Sequence, residues 1–410
     1  MSKKSFTTRS LNIAFPSNDP YRALHMPIYE SVAFEFERAE DIAANFRGEL
    51  PAHVYSRTGN PTVLYLEKKI RELSGAHQVL AVSSGMAAIS NSLLNLCEAG
   101  DNIIAGNRLF GHTYALFNET LPKIGISTRF ANLEDEASIE ALIDDKTRLI
   151  YFETVTNPQL EIPNIGLLKK LAVKHQLVLM ADSTLTPPVT FDARAAGIDI
   201  EVMSTTKFIS GGATSIGGII VDYGSYNWNN HPHLSAYVPK LQKDTFFARL
   251  KKNIFRNTGA CMTAHSAYFQ LLGLDLLELR VERCVNNCLE LGAYLEKHSS
   301  VVSVNYPALP SSPFYERSGQ YFNHQPGAIL TFDLESEAAC FEFMNRLRIV
   351  RRATNLNDNK SLIIHPWSTI YVEFPAAERL SMGIRPGMMR LSVGIEGISD
   401  LIDDIEQALN

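Results

Sequence analysis

From about residue 61 the apolar positions settle into two alternating rhythms. "NPTVLYLEKKIRELSG" places Val63, Leu64, Leu66, Ile70 and Leu73 at helical spacing and stops on a glycine, which predicts a helix ending before Gly75. Short, nearly unbroken apolar runs follow, separated by helical segments: "QVLAVS", "NIIAG", "STRFAN", "RLIYFET", "LVLMADS", "IEVMST" and "GGIIVD". A strand that buries one face alternates apolar with polar residues, whereas a continuous run is buried on both faces. Such runs between helices predict a mainly parallel sheet covered on both sides, an α/β architecture. Near residue 256 the pattern becomes long and helical, "AHSAYFQLLGLDLLELRVERCVNNCLELGAYLEKHS". It then gives strand-like "GAILTFDL" and "MMRLSVGIE" and a closing helix, "ISDLIDDIEQALN". Residues 1–60 lack sustained periodicity and hold Pro16, Pro20, Pro27 and Pro51. The expected organisation is therefore an extended arm with little helix (1–60), a large α/β unit (61–255) and a smaller α+β unit (256–410).

Composition narrows the function classes. The 410 residues are 45% hydrophobic and 20% charged, with a net charge of −6, an ordinary globular balance that gives no support for nucleic-acid binding. No apolar run approaches the roughly 20 residues of a membrane span. The five cysteines, Cys97, Cys261, Cys284, Cys288 and Cys340, are odd in number and widely spaced. That usage fits reduced thiols and a cytoplasmic location, with no metal cluster. The start, "MSKKSFTTRSLNIAFPS", has no acid before Asp19 and lacks the apolar core of a secretory signal; an irregular arm is expected rather than a transit peptide.

In an open parallel sheet, ligands sit beyond the carboxyl ends of the strands. "VLAVS" ends in Ser83-Ser84-Gly85-Met86 and runs into a helix, a strand–turn–helix arrangement suited to an anion. "LIYFE" ends at Glu153 and leads to Asn157. "LVLMA" ends at Asp182, and "IEVM" ends in Ser204-Thr205-Thr206-Lys207, with Gly211 and Gly212 behind. Each piece has a plain explanation: Ser84 a helix cap, Asp182 a turn residue, Asn157 the residue before Pro158, Lys207 a surface lysine at a strand end. One rim holding all of them matches what pyridoxal phosphate needs. Its phosphate takes N–H groups and hydroxyls, its aldehyde a lysine, and its ring nitrogen a carboxylate.

The chain here resembles a known family, the pyridoxal-phosphate enzymes of Cys/Met metabolism. The group includes cystathionine γ-synthase, the cystathionine lyases, methionine γ-lyase and the O-acyl-homoserine sulfhydrylases. "PIYESVAFEF", "YSRTGNPT", "SSGMAA", "LFGHT", "FETVTNP", "ADSTLTPP", "STTKFISGG", "SLIIHP" and "RLSVGIE" fall in the family's order. The resemblance implies a fold-type-I transferase with pyridoxal 5'-phosphate. It makes Lys207 the Schiff-base lysine, with the phosphate held by Ser204, Thr206 and the N–H groups of Gly85 and Met86, next to Ser84. It sets Asp182 against the ring nitrogen and Asn157 beside the ring's hydroxyl and the substrate carboxylate, which Arg390 would grip. A surface arginine on a strand is the plain alternative for Arg390. Tyr55 and Arg57 would reach the phosphate of a neighbouring subunit, Tyr55 also touching substrate, so a homodimer is implied, and by the family's habit a homotetramer.

Departures from the family pattern bear on the reaction. Phe110, in "RLFGHT", stands where most members carry a tyrosine. It can stack on the ring but cannot give a proton to a leaving group. A thiol, with a pKa of roughly 8.5, benefits from such an acid, and a carboxylic acid, roughly 4, needs little help. Thr354 and Asn355 replace a glutamate and a serine of the cystathionine enzymes; Asn355 is expected to bind substrate, and with Lys360 it looks like the sulfhydrylase branch. Asn357 replaces a usual glycine and Trp367 a small residue, so a reshaped pocket wall is expected. His112 could deprotonate an incoming sulfide; a polar residue lining the entrance is the plainer reading. The expected reaction is γ-replacement on O-acetyl- or O-succinyl-homoserine by a sulfur donor, giving homocysteine. Sulfide, a small thiol and a carrier protein all stay open as the source of sulfur. Methionine γ-lyase or cystathionine chemistry is the alternative within the family, and a catalytically idle homologue the alternative outside it.

Overall fold

The computed structural model describes residues 4–15 and 19–410. Met1 to Lys3 and Pro16 to Asn18, part of the expected arm, lie outside the described residues. The arm holds more helix than its sequence suggests, with α1 at Phe6–Leu11 and α2 at Ala39–Arg47. End chemistry explains both. The Ser5 side chain caps α1 by accepting the Thr8 N–H, and α2 stops at Gly48, which takes the left-handed conformation at φ 79°. No residue of α2 is buried: its apolar stripe, Ile42 and Phe46 one turn apart, is exposed, and at nine residues it is too short for its period to stand out among the prolines of the arm. In contrast α1 docks on the body: Phe6 is buried and the Ser10 hydroxyl donates to Asp275 Oδ1 at 3.0 Å.

The helix read from "NPTVLYLEKKIRELSG" is α3, Pro61–Ser74. The Asn60 side chain accepts N–H groups of its first turn, proline occupies that turn, and Gly75 ends it at φ 69°. The strands that follow are β1 (Gln78–Val82), β2 (Asn102–Gly106), β3 (Ser127–Ala131), β4 (Thr147–Glu153), β5 (Val178–Asp182), β6 (Ile200–Met203) and β7 (Gly218–Asp222). They form one sheet in the order β1-β7-β6-β5-β4-β2-β3. Strands β2 to β6 pair in parallel. Strand β7 runs antiparallel to both β6 and β1, so β1 points the same way as β6. The carboxyl ends of β1, β2, β4, β5 and β6 therefore share one rim.

Alternation along each strand sends side chains into two separate cores. In β5, Leu179 and Ala181 join the cluster that holds Leu66 and Ile70 of α3. Val178 and Met180 join the other, with Leu93 of the helix Gly85–Leu96, here α4. A one-residue slip would exchange the two sets, so the register is strongly specified. Each fully buried Leu, Ile or Phe contributes about 1.5–3 kcal/mol.

A second sheet contains β8 (Ser303–Asn305), β9 (Ile329–Asp333), β10 (Arg351–Arg352), β11 (Leu362–Ile364) and β12 (Met388–Ser392) in the order β10-β11-β12-β9-β8. It is antiparallel except for β10 beside β11. Its Ile329 and Leu391 lie in the same continuous core as Val79 and Ile150 of the large sheet. Arg390 sits mid-sheet, in register with Thr331 of β9 and Ile364 of β11. Among the described residues no helix is long and apolar enough to cross a membrane.

Candidate active site

The shared rim and the loop before β11 enclose a cavity of about 420 Å³. Its wall contains Ser84, Gly85 and Met86 after β1 and Phe110 after β2. Asn157 follows β4, Asp182 closes β5, and Ser204, Thr206 and Lys207 follow β6, with Arg390 reaching in from β12. The strand-end residues read from the sequence thus converge on one space.

At one end lies the start of α4. The Ser84 hydroxyl accepts the Ala87 N–H at 3.1 Å, and its carbonyl accepts the Ala88 N–H at 3.0 Å. The N–H groups of Gly85 and Met86, in the first turn, have no intrahelical acceptor and suit an anion. Gly85 is required sterically: a Cβ there would lie 2.7 Å from Ser204 Cβ, so only glycine lets the end of β6 approach the helix. The Ser204 N–H is fixed by Thr184 Oγ1 at 2.8 Å. Thr206 Oγ1 donates to the Gly217 carbonyl at 3.2 Å and accepts the Gly217 N–H at 3.1 Å. Its single proton is thereby engaged, which makes Ser204 the freer donor for a phosphate.

Asp182 faces the middle of the cavity. Its Oδ1 accepts the Thr184 N–H at 2.9 Å and its Oδ2 the Tyr151 hydroxyl at 3.3 Å. Burial raises its pKa against these bonds, and a cationic ring N–H would relieve that cost. Lys207 Nζ donates to Asn355 Oδ1 at 2.8 Å. Burial, then the Arg390 charge, lowers the amine to about 8, with Asp358 opposing. The glycine cradle, the half-buried carboxylate and a half-buried amine of lowered pKa fit pyridoxal phosphate.

Arg390 is buried at 2% exposure, which excludes the surface alternative. Its Nη1 donates to Asn157 Oδ1 at 3.0 Å, and its Nη2 to the carbonyls of Thr354 and Asn355 at 3.1 and 3.2 Å. Nε has no partner. Burial lowers the guanidinium to about 10. A buried cation with a spare donor at a cavity wall is suited to a carboxylate.

Some expectations change. Asn355 is not on the cavity wall and reaches the site through Lys207. Trp367 packs under Arg379, with the guanidinium carbon 4.0 Å from its ring centre; Ile370, not Trp367, lines the cavity. Lys360 is exposed. Asn357 is buried at φ 50°, a backbone conformation that favours glycine, and it accepts the Ala328 N–H at 3.3 Å. His112 is an exposed lining residue, edge-on to Phe110 at 5.1 Å. Tyr55 and Arg57 lie outside the cavity: Tyr55 is 43% exposed, and Arg57 Nη1 donates to the Arg256 carbonyl at 2.6 Å.

Two residues have no role assigned from the sequence, although Glu153 is read there as a strand end. Glu153 Oε1 accepts the Phe110 N–H at 2.6 Å and its Oε2 the Asn157 N–H at 3.3 Å. Burial, then Asp182, raises it to about 8. A glutamate ending an otherwise apolar strand was its available signal. The Tyr371 hydroxyl lies 3.1 Å from both the Leu109 and the Asn157 carbonyls; nothing local in the sequence marks it.

A mainly parallel sheet covered on both sides, with these groups at its carboxyl rim, defines a pyridoxal-phosphate enzyme. A family model for the Cys/Met metabolism PLP-dependent enzymes matches residues 8–410, and the chain belongs to that family. It is 36% identical to sulfhydrylase FUB7 of Fusarium oxysporum, over 99% of this chain and 97% of the relative. A putative O-acetylhomoserine (thiol)-lyase of Campylobacter jejuni, solved with N'-pyridoxyl-lysine-5'-monophosphate, superposes with a TM-score of 0.94 at 30% identity. That match covers 99% of this chain and 100% of the other. The O-acetylhomoserine sulfhydrylase of Wolinella succinogenes is 44% identical with a TM-score of 0.79, over 87% of this chain and 99% of its own.

Proposed function

We infer that this chain carries out γ-replacement on an O-acyl-homoserine, exchanging the acyloxy group for sulfur to give homocysteine in methionine biosynthesis. With sulfide and the acetyl ester, the products are homocysteine and acetate. Bound pyridoxal phosphate supplies an electron-withdrawing ring that makes the substrate's α-hydrogen acidic. Arg390, steadied by Asn157, holds the α-carboxylate. Lys207 takes the α-proton and passes protons along the chain, its pKa of about 8 leaving an accessible neutral amine near pH 7. Asp182 keeps the ring nitrogen protonated. Ser204 with the Gly85 and Met86 N–H groups would hold the phosphate.

Phe110 is the observation that carries the choice of substrate. It lines the cavity that holds Lys207 and Asp182, at the place of a tyrosine in most of the family, and its ring has no proton to give. A carboxylate leaving group tolerates that loss better than a thiolate does. Thr354 on the same wall supports the reading, since the cystathionine enzymes it resembles carry a glutamate there. Tyr55 and Arg57 are exposed and outside their own cavity, which supports a role toward a neighbouring copy and a working unit of a homodimer or a pair of dimers. All five thiols are free, in keeping with a cytoplasmic enzyme. Product analysis with O-acetylhomoserine plus sulfide, against methionine alone, tests the assignment. Homocysteine from the first and negligible α-ketobutyrate from the second is the expected result. The reverse would make the chain a methionine γ-lyase.

A further inference from the structure

The Lys207 amine ends a chain of three side chains. Nζ donates to Asn355 Oδ1 at 2.8 Å, and Asn355 Nδ2 donates to Asp358 Oδ2 at 3.0 Å. Asp358 is buried at 8% exposure, and its Oδ1 accepts the Lys360 N–H at 3.2 Å. An asparagine amide can face either way, and its neighbours decide which. A carboxylate has only lone pairs, so it requires the Asn355 NH2. An ammonium has only protons to give, so it requires the Asn355 oxygen. While Lys207 is charged, both neighbours enforce the same orientation.

That agreement ends when the amine loses its proton. Neutral Lys207, reached near its pKa of about 8, has a lone pair and can accept a hydrogen bond. A flipped Asn355 would then donate to the lone pair that must take the substrate's α-proton. In this state only Asp358 opposes the flip, because it would set the amide oxygen against the carboxylate. Charged groups surround the relay. Arg390 of β12 and Asp182 of β5 share the cavity with Lys207, and Arg280 of the helix Leu277–Leu295 interacts with Asp358.

We propose that Asp358 is a positioning residue that holds the Asn355 amide with its oxygen toward Lys207, keeping the lysine lone pair free for the substrate's proton. The assignment rests on Lys207 as the proton carrier, not on which ester is used. A double-mutant cycle on the full-length holoenzyme tests it, with Asp358→Asn, Asn355→Ala and the pair together. Asp358→Asn should lower kcat by about tenfold, the scale of one misdirected hydrogen bond, with little change in KM. In the Asn355→Ala background the same substitution should change kcat by less than about twofold, because contacting residues couple only through what they share. Asp358→Glu, which keeps the acceptor, should recover part of the rate. Asp358→Ser, with the same expected outcomes, serves if Asp358→Asn does not fold.

A second readout does not depend on turnover. In the full chain freed of cofactor, acylation of Lys207 by acetic anhydride can be followed against pH by peptide mass spectrometry. Its midpoint should fall in Asp358→Asn, since the ammonium loses a nearby negative charge. An equal loss of kcat in both backgrounds, or an unmoved Lys207 midpoint, would overturn the proposal. If the wild-type enzyme has no turnover on O-acetylhomoserine and sulfide, the functional reading fails, while an unmoved labelling midpoint would still overturn the coupling of Asp358 to Lys207.

Discussion

Arg390 and Asn157 lie 233 positions apart and are joined by a 3.0 Å hydrogen bond from Nη1 to Oδ1. One is in the middle of the small sheet and the other follows a strand of the large one. The proposed substrate-carboxylate site therefore forms only when the two sheets are docked. Arg390→Lys keeps the charge but loses the planar fork. It should lower kcat/KM for the amino-acid substrate by about ten- to a hundredfold, the range of one charge-assisted bond. Steady-state kinetics on the ester check this, and an unchanged kcat/KM would place the carboxylate elsewhere.

Lys207→Ala should abolish the visible absorption band of covalently held cofactor and nearly all turnover. No other amine lines the cavity among the described residues. Absorbance after reconstitution, followed by an activity assay, is the measurement. A variant retaining both would mean that another lysine does the work.

Arg57→Ala should weaken cofactor retention through a contact made across the subunit interface. Each of Arg57→Ala and Lys207→Ala should be nearly inactive alone. Mixed subunits should regain activity, because one of the two sites in a hybrid dimer carries both intact residues. Hybrids that assemble and stay dead would show that Arg57 serves its own chain.

Phe110→Tyr adds a phenol to the cavity wall, where the proposed reaction would release its leaving group. Cleavage of methionine or homocysteine should rise by about ten- to a hundredfold, the lower part of what one positioned acid contributes. Replacement on the acyl ester should change little. Comparing kcat/KM on both substrates decides the matter, and an equal gain on both would remove Phe110 from the choice of leaving group.

His231 gives a pH dependence of stability. It is buried at 1% exposure with both ring nitrogens unpartnered. Burial, then the charges of His233 and Arg148, lowers it from 6.5 to about 3. The unfolded chain thus binds the proton between those values and the folded one does not. Stability attributable to His231 is whole above pH 6.5 and falls as the pH drops, by up to about 1.4 kcal/mol per unit. Denaturant midpoints between pH 6.5 and 5 should fall less steeply in His231→Leu than in the wild type. Parallel slopes would show that the imidazole is protonated in the fold.

The sequence by itself determined the alternation of strands and helices, because a strand buried on both faces must be apolar along most of its length, as Ile103–Ala105 and Ile219–Val221 are. It also determined which residues crowd one rim. Asp182 ends a strand and Ser84 and Lys207 closely follow one, and parallel strands send their carboxyl ends the same way. The exposed helix α2 escaped notice because it is only nine residues long, and its short stripe of Ile42 and Phe46 is not sustained on either side. Tertiary structure alone decided the contacts between distant segments. Tyr371 meets Leu109 and Asn157 from the far end of the chain. Trp367 turns away from the cavity onto Arg379, and Asn355 sits behind Lys207 instead of on the wall. Periodicity records which face of an element is buried, but not which element buries it. The Asp358–Asn355–Lys207 relay depends on that second fact, since it forms only where the loop before β11 meets the end of β6.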